Sequence, residues 1–326
     1  MTARRIIIDT DPGVDDAVAI LLALASSELI VEGIVAVAGN LPLAVTAANA
    51  QAICELARRP DVAIHAGCSR PITRPPITAE YFHGPGGLGT LNLPPAATAL
   101  QPEHGVDFTI GLLRGAAPKS VAWCALGPLT NVAMALVKAP DIVVGVAELV
   151  LMGGASRALG NITPAAEFNI HADPHAAQIV FDSGLPITMI PLDVTHEVRS
   201  TEQRIARIRA LDTPVAASVA ELLTPAGAEA NSLHDPCVIA YLLAPELFAG
   251  SRVNVAIECE SVLTMGMTVV DWRGVSGRKP NASVLHTVDA DGVYALLEDR
   301  LRHMHGPRGN GNRGATGQEL SAPPAS

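Results

Sequence analysis

The sequence predicts an α/β protein: one domain on a mostly parallel, twisted sheet with flanking helices, carrying a helical elaboration toward its C-terminus. Three observations predict it. Short β-branched runs alternate with longer helical patterns from the first residues to about residue 190. Most of those runs are continuously apolar, as in strands buried on both faces. No Pro/Gly/Ser-rich linker separates this region from the remainder of the chain, so the 326 residues read as one large unit rather than two.

The first strand is expected at Arg5–Asp9, where Ile6, Ile7 and Ile8 supply stiff β-branched side chains suited to an extended chain. A helix comes next at Asp15–Ala25, its two leading carboxylates complementing the helix dipole. The alternation continues with a strand at Val31–Val37, a helix at Leu43–Arg58 and a short strand at Ala63–His65. Next come a helix at Val106–Arg114, a strand at Val121–Ala125, a helix at Leu129–Lys138 and a strand at Glu148–Met152. A helix at Pro174–Asp182 and a strand at Ile187–Ile190 complete the series. Beyond residue 200 the pattern turns helical, at Thr201–Leu211, Pro214–Leu223 and Asp235–Leu243. Two strands, Val253–Cys259 and Met267–Asp271, and a helix at Gly292–His303 close the fold. The last stretch is polar and rich in Gly, Pro and Ser, so residues 1–305 read as the domain and 306–326 as a disordered tail.

Composition excludes several classes of function. The chain is 49% hydrophobic, yet its longest apolar runs, such as Ala17–Ala25, fall well short of the roughly 20 residues that span a bilayer. No signal-peptide pattern precedes the first strand, so a cytoplasmic protein is expected. A formal charge of −10, from 22 basic and 32 acidic residues without a basic cluster, argues against nucleic acid or an anionic membrane as partner. The five cysteines lie far apart with no C-x-x-C pair, and read as reduced thiols.

One stretch carries chemistry at once. "IIIDTDPGVDD", residues 6–16, brings Asp9 and Asp11 to the end of the first strand and Asp15 and Asp16 to the start of the next helix. Capping accounts for the last two at most. Four carboxylates so close repel one another unless a cation sits among them, and oxygen ligands without nearby His or Cys favour Ca²⁺ or Mg²⁺ over zinc. Haloacid dehalogenase-like phosphatases also place a D-x-D pair after an apolar first strand. They need Thr or Val two residues beyond the second Asp, where this chain has Gly13 followed by an acidic pair.

Seven collinear motifs narrow the reading. "DTDPGVDDA" at 9–17, "VAGN" at 37–40, "HGPGGLG" at 83–89, "GPLTNVAMAL" at 127–136, "LMGG" at 151–154, "GNITPAAEFNIHADPHAA" at 160–177 and "HDP" at 234–236 resemble, in order and spacing, the inosine-uridine preferring nucleoside hydrolases. The resemblance covers about residues 4–305 and implies a Rossmann-like nucleoside hydrolase fold. It further implies a Ca²⁺ held by Asp11, Asp16, Asp235 and the backbone oxygen of Leu126, where only the main chain matters. Asp11 then resembles the general base for a water on that ion, with Asp9 in support. Asp15, Asn40, Asn161, Glu167 and Asn169 resemble the residues that hold ribose hydroxyls, with Met152 beneath the sugar. His234 resembles the leaving-group residue, and His83 a pocket-rim histidine near the base.

The implied activity is hydrolysis of purine or pyrimidine ribonucleosides to base and ribose, by a homodimer or homotetramer. The residues themselves leave plainer readings open. Asn161, Glu167 and Asn169 suit turn and capping chemistry, although a sugar requires such paired donors and acceptors. A His beside an Asp before a helix is ordinarily a cap, and His83 can be a loop histidine after Tyr81-Phe82. Family members often carry aromatic residues before the His-Asp pair, whereas Asp212 to Leu233 here contains none, so stacking on the base must come from elsewhere or be weak. A silent nucleoside-binding protein or a hydrolase of a related riboside are the alternatives; a binder, however, has no need of a water-activating base.

Overall fold

The computed structural model describes residues 3–224 and 232–304, which build one α/β domain. The tail expected at 306–326 lies outside the described residues. In chain order the elements are β1 (Arg4–Thr10), α1 (Val14–Leu24), β2 (Leu29–Ala36), α2 (Leu43–Leu56), β3 (Ile64–Ala66), α3 (Glu80–His83), α4 (Gly105–Gly115), β4 (Val121–Ala125) and α5 (Thr130–Lys138). Then come β5 (Val146–Met152), α6 (Phe168–Ala172), α7 (Pro174–Phe181), β6 (Ile187–Ile190), α8 (Leu192–Thr195), α9 (Glu202–Arg209), α10 (Pro214–Leu222) and α11 (Pro236–Leu243). The chain closes with β7 (Phe248–Ile257), β8 (Thr268–Asp271), β9 (Ala282–Val288) and α12 (Ala290–Arg302).

All eight expected strands and nine expected helices appear within a few residues of their expected bounds, but β9 is an addition. The nine strands form one sheet in the order β3-β2-β1-β4-β5-β6-β9-β7-β8. β9 runs parallel to β6 and antiparallel to β7, so it joins the parallel body to the β7–β8 hairpin. The C-terminal strands therefore extend the main sheet.

Each face of the sheet is buried. Ile6 and Ile8 point into one core, filled by α1, α10, α11 and α12. Ile7 points into the other, with Trp123, α5 and α7. The side-chain period of two in a strand requires this split, and it explains why β1 is apolar at consecutive positions. Ile8 has no exposed surface. Ile8→Ala is expected to cost about 2–5 kcal/mol of stability, read as a lower urea midpoint, because the central strand cannot close the cavity.

Strand order reverses between β1 and β4, since β1 connects outward to β2 and β3 while the chain later returns to β4 beside β1. In parallel sheets the crevice at such a reversal, at the carboxyl ends of the strands, is where ligands bind. The Asp-rich loop after β1 and Leu126 after β4 meet there, hydrogen-bonded through Leu126 N–H to the Asp9 carbonyl at 2.8 Å.

Candidate active site

A cavity of about 280 Å³ opens at this crevice. Its walls include Asp15, Asn40, His83, Leu126, Met152, Asn161, Glu167, Asn169, His234 and Asp235, so ten of the twelve predicted site residues surround one space. Asp11 and Asp16 lie just beneath, fully buried.

Asp16 is fixed by its own loop. Its Oδ1 accepts from Thr10 Oγ1 at 2.5 Å and its Oδ2 from the Gly13 N–H at 2.9 Å and Asn40 Nδ2 at 3.2 Å. Carboxylate oxygens of Asp15, Asp16 and Asp235 lie within 4.8 Å of one another, close enough to share a cation. Asp11 stands beside this trio: Oδ2 accepts from the Asn40 N–H at 2.7 Å, while buried Oδ1 has no partner. Two glycines make room for it. A Cβ at Gly39 would lie 2.1 Å from Asp11 Oδ2, and one at Gly127 would lie 2.3 Å from Oδ1.

The opposite wall comes from the segment between β5 and α6. Asn169 Nδ2 donates to the Leu126 carbonyl at 2.7 Å and to the Met152 carbonyl at 3.1 Å. Glu167 caps α6, taking the Asn169 N–H at 2.7 Å on Oε1, and the Gly154 N–H at 2.9 Å and Ile170 N–H at 3.2 Å on Oε2. Asn161 Oδ1 accepts from the Phe168 N–H at 2.9 Å. Capping and pocket-lining thus coincide in the same side chains. On the remaining side His83 Nδ1 accepts the Val14 N–H at 3.1 Å, and His234 Nδ1 meets Thr195 Oγ1 at 2.8 Å.

A family model described as inosine-uridine preferring nucleoside hydrolase matches residues 6–295. The chain belongs to this family. The nucleoside hydrolase is 44% identical over 310 residues to the pyrimidine-specific ribonucleoside hydrolase RihA of Salmonella gallinarum, across 92% of this chain and 99% of the relative. It is 47% identical over 308 residues, at the same coverage, to an uncharacterised protein of Schizosaccharomyces pombe. Among solved structures, a purine-preferring ribonucleoside hydrolase from Gardnerella vaginalis superposes with a TM-score of 0.85 at 32% identity, over 92% of this chain and 99% of that one. The chain is accordingly an enzyme, an N-ribosyl hydrolase of the glycosidase class. Among the described residues of the hydrolase, no helix is long and apolar enough to cross a membrane.

Electrostatics in the hydrolase's pocket are set by burial and crowding. Desolvation, then the charge of Asp16, holds Asp11 well above the usual carboxylate range. Asp235 is raised in the same way by burial and then by Asp15, Asp16 and Asp11. Asp15, although partly open to the cavity, is pushed up to about 7 by desolvation and by Asp16. Asp9 is pushed up to about 8 by burial, against a bond from Asn131 Nδ2 at 3.3 Å, and its Oδ2 is unpartnered. Burial also raises Glu167, despite its three N–H bonds. It lowers the histidines, His83 to about 4 and His234 to about 3, so both are neutral at neutral pH.

A cluster of acids driven toward protonation, with an orphaned buried oxygen beside it, is a site lacking positive charge. The donor set is all oxygen, which fits a hard divalent ion. The residues present therefore suit the cation that the acidic motif calls for.

Sequence reasoning missed four contributors. Tyr81 and Phe82 line the cavity mouth and are 75% and 50% exposed, supplying aromatic surface that residues 212–233 lack. Their signal was an aromatic pair directly before His83. His196 also lines the cavity, edge-on to His234 with ring centroids 5.9 Å apart. Thr195, fully buried, holds His234. Both lie at the end of α8, the short helix that follows β6, on the carboxyl-end side that a parallel sheet favours for site residues.

Proposed function

We propose that this enzyme is a Ca²⁺-dependent ribonucleoside hydrolase that prefers pyrimidine ribonucleosides, releasing free base and ribose. The observation that carries the reading is the unpartnered Asp11 carboxylate oxygen beside the Asp15–Asp16–Asp235 cluster, at the point where the strand order reverses. The pyrimidine preference rests on the 44% identical pyrimidine-specific relative, which is more similar in sequence than the purine-preferring structure at 32%.

Asp11, Asp16, Asp235 and the Leu126 carbonyl would hold the ion, with Asp15, whose carboxylate clusters with those of Asp16 and Asp235, as a near neighbour. When bound, Ca²⁺ would make a water more acidic and engage the ribose 2′- and 3′-hydroxyls. Asp11 takes a proton from the attacking water through its free Oδ1, with Asp9 supporting it from behind. Asp15, Asn40, Asn161, Glu167 and Asn169 hold the sugar hydroxyls, and Met152 lies beneath the ring. Carboxylates around the sugar favour the positive charge that develops on it as the glycosidic bond breaks. Attack opposite the base inverts C1′.

The leaving group departs toward His234, with His83 nearby and Tyr81 and Phe82 at the mouth. Because His234 is held neutral, its assistance is a hydrogen bond donated to the base as negative charge builds there. Removing one such donor typically costs about 10²–10³ in kcat.

We assign the protein to a homodimer or homotetramer on the family resemblance, and light scattering measures this. The deciding experiment incubates purified protein with uridine, cytidine, inosine, adenosine and guanosine, with Ca²⁺ or with chelator, and assays reducing sugar. Ribose release, fastest from uridine or cytidine and abolished by chelator, is expected. Release from no nucleoside would refute the assignment, and purine-first release would refute the preference.

A further inference from the structure

The short segment after β6 places a buried hydroxyl against the histidine on the leaving-group side. Thr195 ends α8 with no exposed surface, and its Oγ1 lies 2.8 Å from His234 Nδ1. Its N–H is used separately, donating to the Pro191 carbonyl at 3.2 Å. Either the hydroxyl or the ring nitrogen can in principle donate, and hydrogen-bond accounting decides between them. Were Nδ1 to carry the proton, the buried hydroxyl hydrogen would need another acceptor, and among the described residues Thr195 Oγ1 has no hydrogen-bond partner besides His234. The satisfied arrangement has Thr195 donating to Nδ1, which leaves the proton of a neutral imidazole on Nε2.

The second imidazole supports the same logic. His83 Nδ1 accepts a main-chain N–H from Val14, a group that can only donate, so a neutral His83 also keeps its proton on Nε2. Both rings line the cavity and both have their inner nitrogen occupied by the protein.

We propose that Thr195 is a positioning residue for the hydrolysis: its hydroxyl selects the Nε2–H form of His234 and locks the ring so that this N–H, rather than a lone pair, meets the departing base. The inference rests on the leaving-group role assigned above to His234 and deepens it. The protein thereby fixes which nitrogen carries the proton, as a second group does in hydrolytic triads. A ring free to flip or to exchange tautomers would present an acceptor to the oxygen-rich edge of a pyrimidine for part of the time, repelling it.

The test compares Thr195→Val, which keeps shape and loses the hydroxyl, with Thr195→Ser, which keeps the hydroxyl. With uridine, Thr195→Val is expected to lower kcat about 10- to 100-fold, within the range for loss of one oriented donor, with KM within about twofold. With 4-nitrophenyl riboside, whose leaving group departs unaided, Thr195→Val should stay within about threefold of wild type. Thr195→Ser should recover uridine turnover to within about fivefold of wild type. Nitrogen-15 NMR of the histidine rings, with His234→Gln identifying the signals, is expected to show His234 protonated on Nε2 in the wild type. In Thr195→Val the same spectra are expected to show a mixture of forms. Equal losses on both substrates, or wild-type uridine turnover in Thr195→Val, would overturn the proposal. So would an Nδ1–H signal for His234 in the wild type. If the wild type released ribose from no nucleoside, the functional assignment would fail instead, and the NMR result would still judge the tautomer.

Discussion

Asp11→Asn is expected to lower kcat for ribonucleosides by about 10³-fold, in the upper range for removing a general base. The substitution is nearly isosteric. Its amide oxygen can still accept the Asn40 N–H that Asp11 Oδ2 takes at 2.7 Å, so the fold around it should hold. What changes is the other atom. The unpartnered Oδ1, enclosed by Gly127 and the carboxyl end of β4, is replaced by an NH₂ group that cannot take a proton. Steady-state kinetics at saturating Ca²⁺, with calcium affinity measured separately by calorimetry, separates loss of the base from loss of a ligand. A kcat within tenfold of wild type would remove Asp11 from the role of base. Gly127→Ala reaches the same atom by another route, because its Cβ would intrude to 2.3 Å from Oδ1.

Adding Ca²⁺ to chelator-stripped protein is expected to raise Tm by about 5–10 °C. Saturation at about 100 times Kd contributes about 2.7 kcal/mol of stability, and each kcal/mol moves a large domain by about 2–4 °C. The physical cause is the crowd of buried carboxylates, which repel one another until a cation enters. Their raised pKa values give the pH dependence a definite sign. In the ion-free protein Asp11, Asp235 and Asp15 hold protons that the unfolded chain has already released, so stability falls as pH rises from the ordinary carboxylate range through about 7. The ion displaces those protons, so the Ca²⁺-induced rise in Tm should be larger at pH 8 than at pH 5.5. Differential scanning calorimetry at the two pH values, on wild type and Asp235→Asn, measures this. Absence of any Tm response to Ca²⁺ in the wild type would remove the cation site.

The parallel body of the sheet was legible because its strands are buried on both faces and so spell continuous apolar runs. β9 was not: in "ASVLHTV" Ser283, His286 and Thr287 interrupt the apolar residues, since this strand has a half-exposed C-terminal half. α3, α6 and α8 are four or five residues long, too short to show a helical period. The acids Asp9, Asp11, Asp15 and Asp16 were legible for a different reason: they fall within eight residues, whereas Asp235, far along the chain, showed itself only through the resemblance of the His-Asp-Pro motif. Thr195 and His234 are 39 positions apart and share no motif, so their bond is a product of folding that no local pattern contains. Tyr81 and Phe82 illustrate the reverse case, an aromatic pair visible in the sequence whose place at the mouth only the packing of α3 reveals.

The cavity wall that carries Asn161, Glu167 and Asn169 leans on the outer hairpin. Thr268 of β8 donates to the Ala155 carbonyl at 2.5 Å and accepts the Ala155 N–H at 3.0 Å, while His171 Nδ1 meets the Met265 carbonyl at 2.9 Å and Trp272 Nε1 donates to Ser156 Oγ at 2.6 Å. Residues 155–156 lead into Asn161 and Glu167, and His171 closes the helix that carries Asn169. The hairpin is therefore a buttress: it lines no part of the cavity, yet the shape of this wall is borrowed from it. Damage at this remote sheet edge would loosen that wall while leaving every side chain that lines the cavity chemically intact.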